Sequence, residues 1–117
     1  GICRGMQFLN CYFGGTLEKL TSSHIHDSGE HKIYFSGDSS ILTKFDSLTV
    51  NSYHNFVIKK LGKNLKSLAK SDDGHTEAFE HSIHPIFGLM WHPERKASTP
   101  NFDIFNKNLI KKILDQY

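Results

Sequence analysis

A cysteine with a glycine two residues to either side, Gly1-Ile2-Cys3-Arg4-Gly5, is the residue pattern of a nucleophile raised on a sharp strand-to-helix turn. Such a turn is strained and brings neighbouring backbone close, which favours residues without a Cβ. The thiol would then stand at a helix N-terminus, where the positive end of the dipole favours thiolate. Met6, Leu9 and Phe13 continue at helical spacing, so residues 3–13 read as that helix, and Gly14-Gly15 ends it. A free cysteine is also at home as an inert core residue, so the motif by itself decides nothing.

The second half of the chain supplies the partners. An apolar, strand-like run begins at Ile86 and ends in Trp91-His92-Pro93-Glu94. Residues two apart in extended chain point to one side, so His92 and Glu94 can share a face. Thiol, imidazole and carboxylate then form the nucleophile, base and orienter of covalent acyl-transfer chemistry.

Four blocks carry a family resemblance, in order: Gly1-Ile2-Cys3-Arg4-Gly5-Met6-Gln7, Val50-Asn51-Ser52-Tyr53-His54, Asp73-Gly74-His75-Thr76-Glu77-Ala78 and Trp91-His92-Pro93-Glu94-Arg95. With them the chain resembles the C-terminal part of a class I glutamine amidotransferase domain. The similarity is greatest to the peptidase C26-like γ-glutamyl hydrolase branch, in which Asn10 and Gly14-Gly15-Thr16-Leu17 also find counterparts. The resemblance implies an α/β, flavodoxin-like three-layer domain that cleaves a γ-glutamyl amide through a cysteinyl thioester, with Cys3, His92 and Glu94 as the triad. It implies that the backbone amide of Arg4 is an oxyanion donor and that Gln7 helps hold the glutamyl group. It also implies that Ser52, Tyr53 and His54 line the site mouth, with backbone around Tyr53 holding the α-amino and carboxylate ends. For His54 a hydrogen bond to local backbone is the preferred role. No cofactor and no metal are implied. Departures are Asn55 and Phe56, where many branch members carry a histidine and a glutamine, and Met90, where a glutamine is frequent. Alternatives are a glutaminase subunit that feeds ammonia to a synthetase partner, an inactive binding module of the same fold, and a metal-binding protein.

The elements that must position these residues come from a chain of 117 residues, the size of one small domain with a core. The net charge of +2 has both signs interspersed and gives no nucleic-acid footprint, and no apolar run reaches membrane-spanning length. The two cysteines, Cys3 and Cys11, lie about 12 Å apart if one helix carries both, too far for a disulfide. A working thiol needs a reducing compartment, so the cytoplasm is expected. The family's domain carries further strands, and a glycine-rich loop with a second oxyanion amide, before its cysteine. Residues 1–117 are therefore expected to be the C-terminal part of one domain whose N-terminal half is absent here.

Residues 14–31 read as a loop or short helix, His31–Phe35 as a strand and 41–45 as a short helical turn. Residues 65–71 and 76–83 read as two strands joined at Asp72-Asp73-Gly74. Thr99-Pro100 offers a capping hydroxyl and a first-turn proline, with Phe102, Phe105, Leu109, Ile113 and Tyr117 along one face of a closing helix. His24, His26, Asp27 and His31 raise a zinc hypothesis, but their spacing matches no strong signature and a solvated loop is the better reading.

Overall fold

The computed structural model describes residues 1–20, 29–36, 46–97 and 99–115. Its elements in chain order are α1 (Arg4–Tyr12), β1 (Thr16–Lys19), β2 (Gly29–Phe35), β3 (Ser47–Ser52), β4 (Phe56–Lys60), β5 (Leu65–Ser71), β6 (Thr76–His81), β7 (Phe87–Leu89) and α2 (Pro100–Leu114). Five strands form one antiparallel sheet in the order β3-β2-β5-β6-β7, and β1 and β4 form a separate antiparallel pair. Beyond β7 the sheet is extended by Ile2, which bridges Leu89 in parallel.

Side-chain alternation along the strands makes three layers. Ala78, Leu89 and Trp91 join one core with Ile33, Leu48, Val50, Leu68 and the α2 residues Phe102, Phe105 and Leu109. Their immediate neighbours Phe79 and Met90 point the other way, into a second core with Met6 of α1 and Ile58 of β4. The sheet thus carries α2 on one face and α1 with the β1–β4 pair on the other. No helix among the described residues is long and apolar enough to cross a membrane.

Most of the expected elements are present, including the turn at Gly74, whose N–H donates to the Ser71 carbonyl at 2.9 Å. Three expectations need correction. Part of the expected loop at 14–31 is strand: Thr16–Lys19 pairs with β4 and Gly29 opens β2. β1 holds a single apolar side chain, Leu17, so it has no alternation to announce it. The run from Ile86 leaves the sheet after Leu89, so His92 lies in the following loop, where Pro93 has no N–H for a ladder. Thr99 occupies the N-cap of α2, but its hydroxyl makes no capping bond. The segment 41–45, Tyr117 and the cluster residues His24, His26 and Asp27 lie outside the described residues.

Candidate active site

Cys3 is held on both sides. Its N–H donates to the Leu89 carbonyl at 2.7 Å, while Leu89 N–H donates to the Gly1 carbonyl at 2.9 Å. Its own carbonyl accepts from Gln7 N–H at 3.0 Å, which starts α1. Between these anchors the chain turns so sharply that Cys3 takes φ 51° and ψ −105°. A side-chain-bearing residue pays about 1–3 kcal/mol for such backbone and keeps it only where its surroundings impose it. A Cβ on Gly1 would sit 2.6 Å from the Gly5 backbone carbon, so Gly1 is required by close approach. Gly5 differs from expectation, since a Cβ there would meet nothing within 4 Å. The strained elbow read from the sequence is present.

The thiol's ionisation departs from the dipole argument. Burial pushes the Cys3 thiol up. The Arg4 backbone N–H and the Arg4 and Arg95 charges pull it down, Glu77 adds to the rise, and the net direction is upward. The first helical turn does offer its Arg4 amide to the sulfur, but desolvation of a half-buried thiol outweighs it.

The loop after β7 is fixed at three points. Trp91, fully buried, donates its indole N–H to Asn106 Oδ1 of α2 at 2.9 Å. His92 is clamped by Asn51 of β3: its N–H donates to Asn51 Oδ1 at 2.8 Å, and its carbonyl accepts from Asn51 Nδ2 at 2.8 Å. Its ring meets Glu94 through Nδ1 and Oε1 at 2.5 Å. Use of Nδ1 for the carboxylate leaves Nε2 for a proton in flight. Desolvation, the largest single influence, raises the Glu94 carboxyl, but the hydrogen bond from His92, a backbone hydrogen bond and the nearby His92 and Arg95 charges together bring it below the usual range. Tyr53 stands edge-on to the His92 ring at 5.9 Å between centroids, and the Arg95 guanidinium lies 4.6 Å over the Tyr53 ring.

The other expected site residues divide. Arg4 is exposed at the start of α1. Gln7 is buried and donates from Nε2 to the Phe56 carbonyl at 3.5 Å and to the Met90 sulfur at 3.6 Å. Ser52 is fully buried at the end of β3, whereas Tyr53 is half exposed. His54 is buried with Nδ1 at 2.8 Å from the Phe56 carbonyl, the local backbone bond expected of it. The structure brings His92, Glu94, Tyr53 and Arg95 into one row and sets Cys3 on the segment paired with the strand that leads to them.

Three positioning residues were not legible in the sequence. Asn51 sits inside a motif but reads as an ordinary strand residue. Asn10, fully buried, donates to the Lys60 carbonyl at 3.1 Å and accepts from Gly62 N–H at 2.8 Å, which latches α1 to the β4 end. Glu77, 1% exposed, has Oε1 at 3.1 Å from His31 Nε2 and 3.8 Å from His54 Nε2. A carboxylate three residues from a turn looks solvated until the neighbouring strands are known. Among the described residues no group of three or more His, Cys, Asp or Glu is arranged to hold a metal.

A central sheet with a helix on each face and a cysteine elbow beside its last strand is the architecture of the glutamine amidotransferases. A glutamine amidotransferase of Methylobacillus flagellatus superposes on 97% of this chain and 61% of its own with a TM-score of 0.79, at 12% identity, a likeness of fold. The chain belongs to the Peptidase C26 family of class I glutamine amidotransferases, which matches residues 1–94. It is 40% identical over 114 residues to the γ-glutamyl-CDP-amidate hydrolase of Campylobacter jejuni, covering 96% of this chain and 51% of that protein. It is 34% identical over 95 residues to a glutamine-hydrolysing GMP synthase subunit of Archaeoglobus fulgidus, covering 80% of this chain and 50% of that protein. The chain thus spans about half the length of the curated relatives it matches.

Proposed function

We propose that the protein containing this chain hydrolyses a γ-glutamyl amide through a cysteinyl thioester. The observation that carries the reading is the His92 Nδ1–Glu94 contact on the loop after β7, the strand to which the strained Cys3 elbow is hydrogen-bonded. Cys3 Sγ attacks the side-chain carbonyl carbon while His92 Nε2 takes the thiol proton. The C–N bond then breaks as His92 returns that proton to the departing nitrogen. Water, deprotonated by His92, attacks the thioester, and glutamate leaves as the Cys3 sulfur regains its proton. Glu94 holds the ring tautomer and balances the imidazolium. The Arg4 amide is one oxyanion donor, each such donor being worth about 10²–10³ in rate. Gln7, Ser52, Tyr53 and His54 shape the glutamyl side of the site. No cofactor enters any step. With both cysteines free, a reducing compartment, the cytoplasm, suits the chemistry.

The narrower substrate in this reading is γ-glutamyl-CDP-amidate, supported by the identity to the Campylobacter jejuni hydrolase. The likeness to a synthetase component favours a second reading, glutaminase activity that passes ammonia to a synthetase partner. Incubation of the full-length protein with γ-glutamyl-CDP-amidate and with glutamine, followed by assay of glutamate, separates the two. Release from the amidate without any partner supports the first. Release from glutamine only, stimulated by a partner protein, supports the second, and release from neither removes the hydrolase reading.

Residues 1–117 alone are proposed to be inactive. An apolar groove of about 370 Å³ runs beside the elbow, lined by Ile2, Phe87, Leu89, Pro93, Ile110 and Ile113 among others. The upstream half of the domain is the proposed cover and the source of the second oxyanion donor. Activity of residues 1–117 equal to that of the longer protein overturns this.

A further inference from the structure

We propose that Glu77 is a positioning residue for Gln7: two routes run from it through the fold, and each ends on the Gln7 side-chain amide. The inference rests on the γ-glutamyl hydrolase reading, in which Gln7 shapes the glutamyl side of the site, and names what holds Gln7 there.

The first route is through a side chain. Glu77 of β6 is fixed by His31 of β2, with Oε1 3.1 Å from Nε2. The same Oε1 stands 3.8 Å from Nε2 of His54, too far for a hydrogen bond, so it backs that ring by packing and charge. The other side of the ring has a defined duty. A carbonyl only accepts, so the His54 Nδ1 that lies 2.8 Å from the Phe56 carbonyl carries a hydrogen and donates it. That carbonyl also accepts from Gln7 Nε2, at 3.5 Å. The second route is through the backbone. Met90 N–H donates to the Glu77 carbonyl at 2.8 Å, and the Met90 sulfur accepts from Gln7 Nε2 at 3.6 Å. These two contacts of the amide are long, so neither fixes it alone and its place follows from where Phe56 and Met90 are held. Glu77, His54 and Met90 are all buried, which leaves no water to stand in for a partner that shifts. Gln7 N–H in turn donates to the Cys3 carbonyl at 3.0 Å, so the amide is registered to the elbow.

A competing role is purely structural, in which Glu77 only ties β2, β3 and β6 together. The two roles differ in KM, which does not depend on how much of a sample is folded. The test uses full-length protein and whichever of γ-glutamyl-CDP-amidate and glutamine it cleaves. Glu77→Ala takes the backing from His54 and should raise KM roughly tenfold, the scale of one lost hydrogen bond to a polar group, with kcat less affected. Glu77→Gln fills the same space and should stay near the parent value. In a Gln7→Ala background Glu77→Ala should have no further effect on KM, because its effect passes through Gln7. A second pair of variants decides the matter where Glu77→Ala does not fold. At position 54 asparagine places an amide nitrogen where Nδ1 stands, and glutamine where Nε2 stands. His54→Asn should therefore keep KM near the parent value and His54→Gln should raise it. An unchanged KM in Glu77→Ala, effects of Glu77→Ala and Gln7→Ala that multiply, or equal KM in the two His54 variants overturns the inference and leaves the hydrolase reading standing. Side-chain amide NMR reads the same relay without catalysis. The Gln7 signal, assigned by its loss in Gln7→Ala, should move in Glu77→Ala and His54→Gln and stay in His54→Asn. Cleavage of neither amide removes the hydrolase reading, and a Gln7 signal that stays in place in Glu77→Ala or His54→Gln overturns the positioning role.

Discussion

Asn51 grips His92 by both of its backbone polar groups, each at 2.8 Å, from a side chain that is almost wholly buried. The base of the proposed triad is therefore positioned by a strand on the far edge of the sheet. Asn51→Ala should lower kcat by about 10–10², the scale of a small misplacement of a catalytic group, with little change in KM. It should also cost about 1–3 kcal/mol of stability through buried groups left unbonded. Asn51→Asp keeps the acceptor for His92 N–H and loses the donor, so it should fall between. An alanine variant that loses stability and keeps full kcat would show that the clamp serves the fold alone.

Cys3, His92 and Glu94 are expected to act as a unit, with non-additive losses. Cys3→Ala should reduce turnover by at least about 10³-fold, His92→Ala by nearly as much, and the double variant by little more. Glu94→Ala should cost less, since its carboxylate is largely exposed and water can replace part of its contact. Losses from Cys3 and His92 that multiply would mean that the two residues work independently.

The sequence displayed the chemistry better than the scaffolding. The proposed triad, Cys3, His92 and Glu94, is nominated by the sequence because a thiol between close glycines and a histidine two residues before a glutamate occur in the same chain. The helices are legible from apolar spacing, as with Phe102, Phe105 and Leu109. The polar supports are not. Asn51, Asn10 and Glu77 matter through partners 41, 50 and 46 residues away in the chain, and no local pattern encodes a long-range hydrogen bond. β1 escapes detection for a related reason: with Leu17 as its one apolar residue it is defined by its pairing to β4 and by no pattern of its own.

The Cys3 thiol, raised by burial, should be alkylated slowly at neutral pH. Its thiolate fraction at pH 7–8 is below that of a free cysteine, and the rate with iodoacetamide should climb as pH passes above the ordinary thiol range. The sign for stability is the opposite. A group whose folded pKa is raised holds its contribution below the unfolded value and loses it as pH rises through the folded one. Cys11, exposed on α1, is the internal reference for the reagent. Faster modification of Cys3 than of Cys11 at pH 7, followed by peptide mapping, would show that the Arg4 and Arg95 charges outweigh burial after all.

Glu77 joins the fold to the site in two ways. Its carboxylate lies between His31 of β2 and His54 beyond β3, and its carbonyl accepts from Met90 N–H at 2.8 Å, two residues before His92. Truncation to alanine would take the carboxylate away from two buried imidazoles, so Glu77→Ala should cost about 1–3 kcal/mol, the scale for a buried polar group that loses its partner. Glu77→Gln keeps the shape and an acceptor and should cost less. It also removes a negative charge that helps raise the Cys3 thiol, so the glutamine variant should alkylate faster at pH 7 than the parent protein. Denaturant unfolding and thiol kinetics on the same preparations read the two effects separately. Unchanged unfolding midpoints in the alanine variant would show that the cluster does not hold β2, β3 and β6 together, and an unchanged thiol rate in the glutamine variant would show that its charge does not reach the elbow.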